Sequence, residues 1–339
     1  RQQSRQTNGA KSFTAYSFRL PERMEYQIMI YPWHTDAWQQ ITACGDNIPN
    51  AWLLSGRRGI GKTAFARHLS AVLLCENPPK AFESCGVCAS CRLNQQSSHP
   101  DFYELTPKIE DESNAKKLLQ IKIEEVREVI KNIHLTPLRG HRRVILIHPA
   151  ESMNIQAANA LLKVLEEPSD TVVFILVSHS KDRLLATIKS RCRHFPLPMP
   201  KRAAAVDFLQ QQKIPNANAI LAFHGGSPLF AFDDELDALR QQLLAILSVP
   251  GMIALLDFAA EFDRKKQPLS LFLEWFNKWL VDLVAALHGD DEEVLFYPQH
   301  AKKLTELANK FNFSDIFALY DQSIRLVPYG QHTLNVKLT

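Results

Sequence analysis

Apolar and polar residues alternate in blocks along the first two thirds of the chain, and these blocks predict alternating strands and helices. Short apolar runs predict strands at residues 51–54 (AWLL), 101–105 (DFYEL), 144–147 (VILI) and 172–177 (VVFILV). Apolar residues three and four apart predict helices at 64–74, 123–133 and 157–166, and one that follows Tyr31-Pro32-Trp33 and extends to residue 48. The alternation over residues 45–196 predicts an α/β domain, in which helices cover both faces of a parallel sheet.

The pattern changes after the proline-rich stretch at residues 196–200. Prolines at positions 196, 198 and 200 mark a predicted domain boundary, and helical periodicity dominates from there to residue 339. We therefore predict a short helical module followed by a longer helical domain. Residues 1–28 are rich in Gln, Ser and Arg, so we predict a disordered or artefactual N-terminal extension there.

A phosphate-binding pattern follows the first predicted strand directly. Residues 56–63, GRRGIGKT, match G-x-x-x-x-G-K-[ST] at every fixed position: Gly56, Gly61, Lys62 and Thr63, with Gly59 between them. The glycines would let backbone N–H groups converge on phosphate at the positive end of the next helix. Lys62 would reach the terminal phosphates and Thr63 would bind Mg²⁺. A glycine-rich turn with a chance lysine is the alternative, but the strand–loop–helix context favours a nucleotide-binding loop.

The residues after the strand at 144–147 argue against ATP hydrolysis. P-loop ATPases place an acidic Mg²⁺ ligand there, usually beside a carboxylate that activates water. This chain has His148 and Pro149 at those two positions, and Glu151 lies farther along. Neither His148 nor Pro149 can bind Mg²⁺ as the acidic ligand does or activate water as the second carboxylate does. We therefore predict a phosphate-binding loop without ATPase activity.

Four of the six cysteines fall within a short window, at Cys75, Cys85, Cys88 and Cys91. Four thiolates suit a tetrahedral Zn²⁺ ion, and a site filled entirely by protein ligands is structural. Metal binding would supply the folding energy of this small insertion. Cys-x2-Cys-x2-Cys runs also hold iron–sulfur clusters, although the usual Cys-x3-Cys-Pro continuation is missing. Zinc is favoured, the iron–sulfur cluster is the alternative, and disulfides would require an oxidising compartment.

The net charge of +3 gives little information about nucleic-acid binding, because it comes from residues 1–28. That segment has five of the 39 Lys and Arg residues and two of the 36 Asp and Glu residues, which leaves 34 of each sign elsewhere. No apolar run approaches the roughly 20 residues of a membrane helix, and no signal-peptide pattern opens the sequence. We therefore expect a cytoplasmic protein without membrane contact.

Five segments in a fixed order carry a family resemblance. They are GRRGIGKT, the four-cysteine insertion, HPDFYEL (99–105), ANALLKVLEEP (158–168) and IKSRCRHF (188–195). Over about residues 29–226 the chain resembles the clamp-loader AAA+ family, and within it the delta-prime subunits of bacterial DNA polymerase III. The resemblance implies a RecA-like α/β domain (29–198) with an inserted zinc module (75–91), a helical lid (199–234) and a helical collar (235–339) for oligomerisation.

The resemblance also implies functional residues and partners. In that family a Ser-Arg-Cys motif supplies an arginine finger to ATP on the neighbouring subunit, and Arg191 occupies that place here; a surface or ion-paired arginine is the alternative. The implied partners are gamma/tau and delta subunits in a hetero-pentamer, the sliding clamp and primer–template DNA. Motor members carry a lid arginine where this chain has Leu229, so binding of ATP and Mg²⁺ stays open.

We therefore expect a non-hydrolysing structural subunit of the DNA polymerase III holoenzyme, a DNA-directed DNA polymerase complex. It would close the clamp-loader ring and help load the sliding clamp onto primed DNA during replication. The first alternative is a gamma/tau-like motor subunit that hydrolyses ATP, against which His148, Pro149 and Leu229 argue. The second is a zinc-containing nucleic-acid-binding module with an unused phosphate loop, which would bind DNA tightly when isolated.

Overall fold

The structure is a computed structural model that describes residues 30–45, 47–80, 82–107, 120–133, 135–230, 233–288 and 295–327. It divides into two compact units. The first contains residues 36–56 and 62–197, and the second contains residues 31–35, 57–61 and the chain from residue 198 on. The predicted border between lid and collar falls inside the second unit and stays a prediction. The predicted extension at 1–28 lies outside the described residues.

A parallel sheet forms the centre of the first unit, as the alternating pattern predicts. Its strands are β1 (Ala51–Ser55), β2 (Phe102–Leu105), β3 (Arg143–Ile147), β4 (Val172–Ser178) and β5 (Arg193–Pro196). They stand in the order β2-β3-β4-β1-β5. Every residue of β1, β3 and β4 is buried, which explains why these strands read as continuous apolar runs. All pairings are parallel, so the carboxyl ends of the strands meet at one edge.

The helices of the first unit follow the predicted positions with one correction. They are α1 (Thr35–Thr42), α2 (Lys62–Leu73), α3 (Ala89–Gln95), α4 (Ile123–Ile133), α5 (Ile155–Glu166) and α6 (Ala186–Lys189). The extension of the first helix to residue 48 is wrong, because α1 ends at Thr42. Gly45 follows in the left-handed region with φ +56°, and this turn cannot continue a helix.

Three short elements of the first unit, β5, α3 and α6, have no counterpart in the sequence-based prediction. Strand β5 pairs with β1 at the edge of the sheet, and three of its four residues are exposed. Because one side of an edge strand meets solvent, Arg193–Pro196 lacks the apolar run that marks the inner strands. Helix α3 has seven residues and follows the cap residue Cys88, whose sulfur accepts a hydrogen bond from the Cys91 N–H.

The described part of the second unit beyond residue 198 is helical, as predicted. Its helices are α7 (Arg202–Gln211), α8 (Ala217–Phe223), α9 (Asp234–Ser248), α10 (Met252–Arg264), α11 (Leu269–His288), α12 (Ala301–Ala308) and α13 (Phe313–Leu326). Phe258 and Phe262 of α10 pack with Trp275 and Trp279 of α11 in one buried cluster. Among the described residues, none of the helices combines the length and the apolar character needed to cross a bilayer.

Candidate functional site

The predicted phosphate-binding loop leads from β1 into α2, and residues of its own unit pack against it. The Leu229 N–H donates a hydrogen bond to the Gly59 carbonyl at 2.9 Å, and the Trp33 indole N–H donates to the Ile60 carbonyl at 2.8 Å. Gly59 and Gly61 have φ values of +77° and +95°. These contacts hold residues 57–61 of the loop against Trp33 and Leu229, which belong to the same unit.

Glycine is required at Gly61 for steric reasons as well as for backbone conformation. A Cβ atom there would lie 2.5 Å from the Tyr31 ring and 3.2 Å from the Leu229 side chain. Tyr31 is 1% exposed, stacks on Trp33 at 4.9 Å between ring centroids, and has a pKa raised by burial. The glycine spacing of the loop therefore accommodates side chains of this protein, in addition to any role toward phosphate.

An ionic cluster forms around His148, which follows β3 at the position in the chain where P-loop ATPases carry an acidic Mg²⁺ ligand. His148 follows β3, and its Nε2 atom lies 2.6 Å from Oε1 of Glu104 on β2. Arg67 of α2 donates to the same oxygen from Nη2 at 2.7 Å and from Nε at 3.0 Å. Burial favours the protonated Glu104, but the His148 hydrogen bond and the Arg67 charge outweigh it and lower the Glu104 pKa. The carboxylate is thus neutralised by side chains of this chain.

Glu151, the next carboxylate after β3, has a structural partner. Its Oε1 atom accepts a hydrogen bond at 2.9 Å from the backbone N–H of His179, which follows β4. The contact ties the segment after β3 to the segment after β4. It supports the sequence-based interpretation that Glu151 does not replace the missing acids.

The four clustered cysteines converge on one point, and their sulfur atoms all lie within 4.8 Å of one another. Zinc–sulfur bonds of about 2.3 Å in a tetrahedron place sulfur atoms about 3.8 Å apart, and Cys85 and Cys91 are separated by 3.9 Å. Backbone N–H groups of Cys88 and Cys91 donate to the sulfur atoms of Cys85 and Cys88. Such bonds stabilise thiolates, and those from the backbone N–H groups of Val87 and Cys88 lower the Cys85 pKa to about 6. The cluster could bind a metal ion.

A hydrogen-bond network joins this cysteine cluster to the start of β2. Asp101 N–H donates to His99 Nδ1, so His99 Nε2 carries the proton and donates to the Ser90 hydroxyl at 2.9 Å. Ser90 in turn donates to Glu76, which pairs with Arg139 at 3.1 Å. The fully buried Asp101 carboxylate accepts the Arg139 backbone N–H. The network fixes the position of the cysteine insertion against the sheet.

The predicted arginine finger, Arg191, is exposed and lies between α6 and β5. Its Nη2 atom donates to Glu166 Oε1 at 2.6 Å, and its Nη1 atom donates to the Thr187 carbonyl at 3.0 Å. The neighbouring Cys192 thiol is buried, which raises its pKa to about 12. The structure therefore presents Arg191 at the surface with an acidic partner from the same chain.

Sequence analysis did not find three residues of these arrangements: Arg67, Glu104 and Glu166. A signal for Glu104 was present, because it lies on the strand next to β3 and near the same edge as His148. Glu166 lies within the segment LLKVLEEP that carries the family resemblance. Arg67 is one of several polar residues on helix α2, and no sequence spacing marks it as a partner of Glu104.

Comparison with known proteins identifies the family. A family model described as "DNA polymerase III, delta subunit" matches residues 34–201. The DNA polymerase III subunit delta′ of Pseudomonas aeruginosa is 36% identical over 302 residues, which cover 86% of this chain and 88% of that protein. Subunit delta′ of Escherichia coli is 32% identical, with 76% of this chain and 77% of that protein covered. Subunit tau of Escherichia coli is 34% identical over 51% of this chain and 27% of its own length. The chain belongs to the family of DNA polymerase III delta-prime subunits.

Proposed function

We propose that this chain is a subunit of the clamp loader of a bacterial DNA polymerase III that does not hydrolyse ATP itself. It would close a cytoplasmic hetero-pentamer with gamma/tau and delta subunits and would supply Arg191 to ATP on the neighbouring subunit. The complex would load the sliding clamp onto primer–template DNA. The lid at 199–234 and the collar at 235–339 are part of this proposal.

One observation carries the loss of hydrolysis: the ionic cluster of Arg67, Glu104 and His148. A Mg²⁺ site near the nucleotide needs carboxylate oxygens that are free to coordinate the ion. The Glu104 oxygen already accepts hydrogen bonds from Arg67 and lies 2.6 Å from His148. The positively charged guanidinium of Arg67 would also repel a Mg²⁺ ion bound to Glu104. The cluster supports a subunit that keeps the fold of an ATPase without its metal chemistry.

The packing of Tyr31 and Leu229 on the loop supports the same conclusion. Gly56, Gly59, Gly61, Lys62 and Thr63 satisfy the sequence pattern for phosphate binding, yet Leu229 stands where a motor subunit has its nucleotide-sensing arginine. Lys62 is 2% exposed. We propose that these residues serve mainly the packing of the loop, and that ATP and Mg²⁺ binding here contributes little to function.

The cysteine cluster supports a structural Zn²⁺ site with ligands Cys75, Cys85, Cys88 and Cys91. The sulfur spacing fits one ion with short bonds, whereas an iron–sulfur cluster holds its cysteines on separate iron atoms and hence farther apart. Four protein ligands leave no open coordination position for substrate. The ion would hold the insertion together and carry no chemistry of its own.

Phosphate release tests the proposal. The purified chain should release no phosphate above background, with or without primed DNA. In the reconstituted clamp loader, Arg191→Ala should lower turnover at the neighbouring ATP site by about 10³-fold or more, because arginine fingers have effects of that size. Arg183→Ala removes another exposed arginine of the same unit and should leave turnover unchanged. Steady hydrolysis by the isolated chain that Lys62→Ala abolishes would instead support the motor alternative.

A further inference from the structure

The Arg191 guanidinium is turned toward its own chain by contacts at both terminal nitrogens. Nη1 donates to the carbonyl of Thr187, one turn earlier along α6, and Nη2 donates to Glu166, the last residue of α5. A bidentate contact with phosphate uses two N–H groups of the same fork. Both terminal nitrogens of Arg191 are therefore engaged within the chain, and these contacts compete with a bidentate contact to a phosphate on another subunit.

The ion pair is placed where such an exchange can occur. The Arg191 side chain is 33% exposed and the Glu166 side chain is 49% exposed. Exposed pairs of this kind are weak, because water and salt screen them. The phosphate groups of a nucleotide carry more negative charge than one carboxylate, so they can displace Glu166 from the guanidinium. The Thr187 carbonyl is uncharged and can remain a partner of Nη1 during the exchange.

We propose that Glu166 is a positioning residue that holds Arg191 in a retracted state until the phosphate of the neighbouring subunit displaces it. The inference rests on the proposed role of Arg191 as a finger in trans. In this arrangement Glu166 lowers the fraction of time that the Arg191 guanidinium is free to contact ATP on the neighbouring subunit. Under the proposed function the complex acts on primed DNA, so Glu166 would keep the ATPase rate of the assembly low in the absence of that DNA.

The chain offers a matched control at the next residue. Glu167 is also exposed and acidic, and it makes no ion pair among the residues that the structure describes. Glu166→Gln and Glu167→Gln change the net charge equally and at adjacent positions. Only the first removes the charged partner of Arg191.

The first measurement follows the holding contact itself in the purified full chain. A dicarbonyl reagent such as phenylglyoxal modifies guanidinium groups that are free, and mass spectrometry gives the modification rate of each arginine. Glu166→Gln should raise the rate at Arg191 by about 2- to 5-fold, the range expected for an exposed ion pair, and leave the rate at Arg183 unchanged. Glu167→Gln should change neither. An unchanged rate at Arg191 in Glu166→Gln would overturn the proposal.

The second measurement follows the consequence in the reconstituted clamp loader. Glu166→Gln should raise the ATPase rate without DNA by about 2- to 5-fold and leave the rate with primed DNA unchanged, because phosphate has then displaced the carboxylate in the wild type. A lower rate, an unchanged basal rate, or an equal effect of Glu167→Gln would overturn the proposal. If Arg191→Ala leaves both rates unchanged, the finger role fails instead, while the modification rates still report on the holding contact.

Discussion

Arg67 of α2 and His148, which follows β3, both contact the side chain of Glu104 on β2. Only His148 could be predicted, because it occupies a position that P-loop ATPases reserve for an acid. Glu104 and Arg67 join it through strand pairing and helix packing, and neither of these can be inferred from the spacing of residues in the chain. The sequence thus predicts that the acidic Mg²⁺ ligand is missing, and the structure shows which side chains surround His148 instead.

This cluster should make stability depend on pH. The Glu104 pKa is lowered from its ordinary value of 4.5, so its contribution to folding is present above 4.5 and is lost as the pH falls through the lowered value. Glu104→Gln should therefore cost about 1–2 kcal/mol at pH 7, and this cost should start to shrink below about pH 4.5 and disappear once the pH is below the lowered pKa of Glu104. Urea unfolding of both proteins across this range measures the difference.

A second carboxylate provides the control for that prediction. Glu124 is exposed on α4, and Glu124→Gln should change the free energy of unfolding in urea by less than about 0.5 kcal/mol at any pH. If Glu104→Gln were as stable as the wild type at pH 7, or if its deficit persisted at low pH, the ionic cluster would not contribute as described.

Among the elements, the buried ones could be predicted and the exposed ones could not. Strands β1, β3 and β4 are fully buried, so their residues are apolar apart from Ser55, Arg143 and Ser178. Helix α4 has the predicted ends because its inner face repeats at helical spacing. Strand β5 owes its conformation to pairing with β1 and has no apolar run of its own. Helix α1 ends at a glycine turn that periodicity alone does not reveal.

In the predicted phosphate-binding loop, a glycine of the sequence motif is also required by the side chains that pack against it. A methyl group at Gly61 would meet the Tyr31 ring, so Gly61→Ala should destabilise the nucleotide-free chain. Gly45→Ala is the control, because Gly45 also has positive φ but nothing within 4 Å of its would-be Cβ. We expect Gly61→Ala to cost about 1–3 kcal/mol more than Gly45→Ala in urea unfolding.

A double variant separates steric crowding from backbone strain at this loop. Tyr31→Ala removes the ring, so the added cost of Gly61→Ala in that background should fall to about the cost of Gly45→Ala. Equal costs of Gly61→Ala with and without the ring would show that Tyr31 does not dictate the glycine.

The cysteine insertion should fold with its metal. We expect one zinc per chain by elemental analysis, loss of that zinc in Cys88→Ser, and retention in Cys44→Ser, since Cys44 lies outside the cluster. Removal of zinc with a chelator should open residues 76–98 to proteases, because the insertion has no core of its own. Iron with acid-labile sulfide in the purified protein, or full zinc content in Cys88→Ser, would refute the zinc assignment.

At the scale of the whole molecule, the helical region carries exposed apolar residues on which the proposed assembly role can be tested. Val249, Met252 and Ile253 are each at least 74% exposed, and Leu256 is 49% exposed, at the start of helix α10. The opposite side of α10 is anchored in the core by Phe258 and Phe262. Large apolar side chains exposed close together in the sequence, as here, are typical of an interface. It agrees with the proposed assembly role of the collar at 235–339.

Ile253→Asp tests that role without disturbing the core. Because Ile253 is 78% exposed, the variant should unfold at the same urea concentration as the wild type. A carboxylate buried against a neighbouring subunit would be costly, so its incorporation into the reconstituted clamp loader should weaken by about 10-fold or more. Leu135→Asp, which places the same charge at a 61% exposed leucine of the first unit, should assemble normally. Normal assembly of Ile253→Asp would mean that this face of α10 meets solvent in the complex, and that the collar uses another surface.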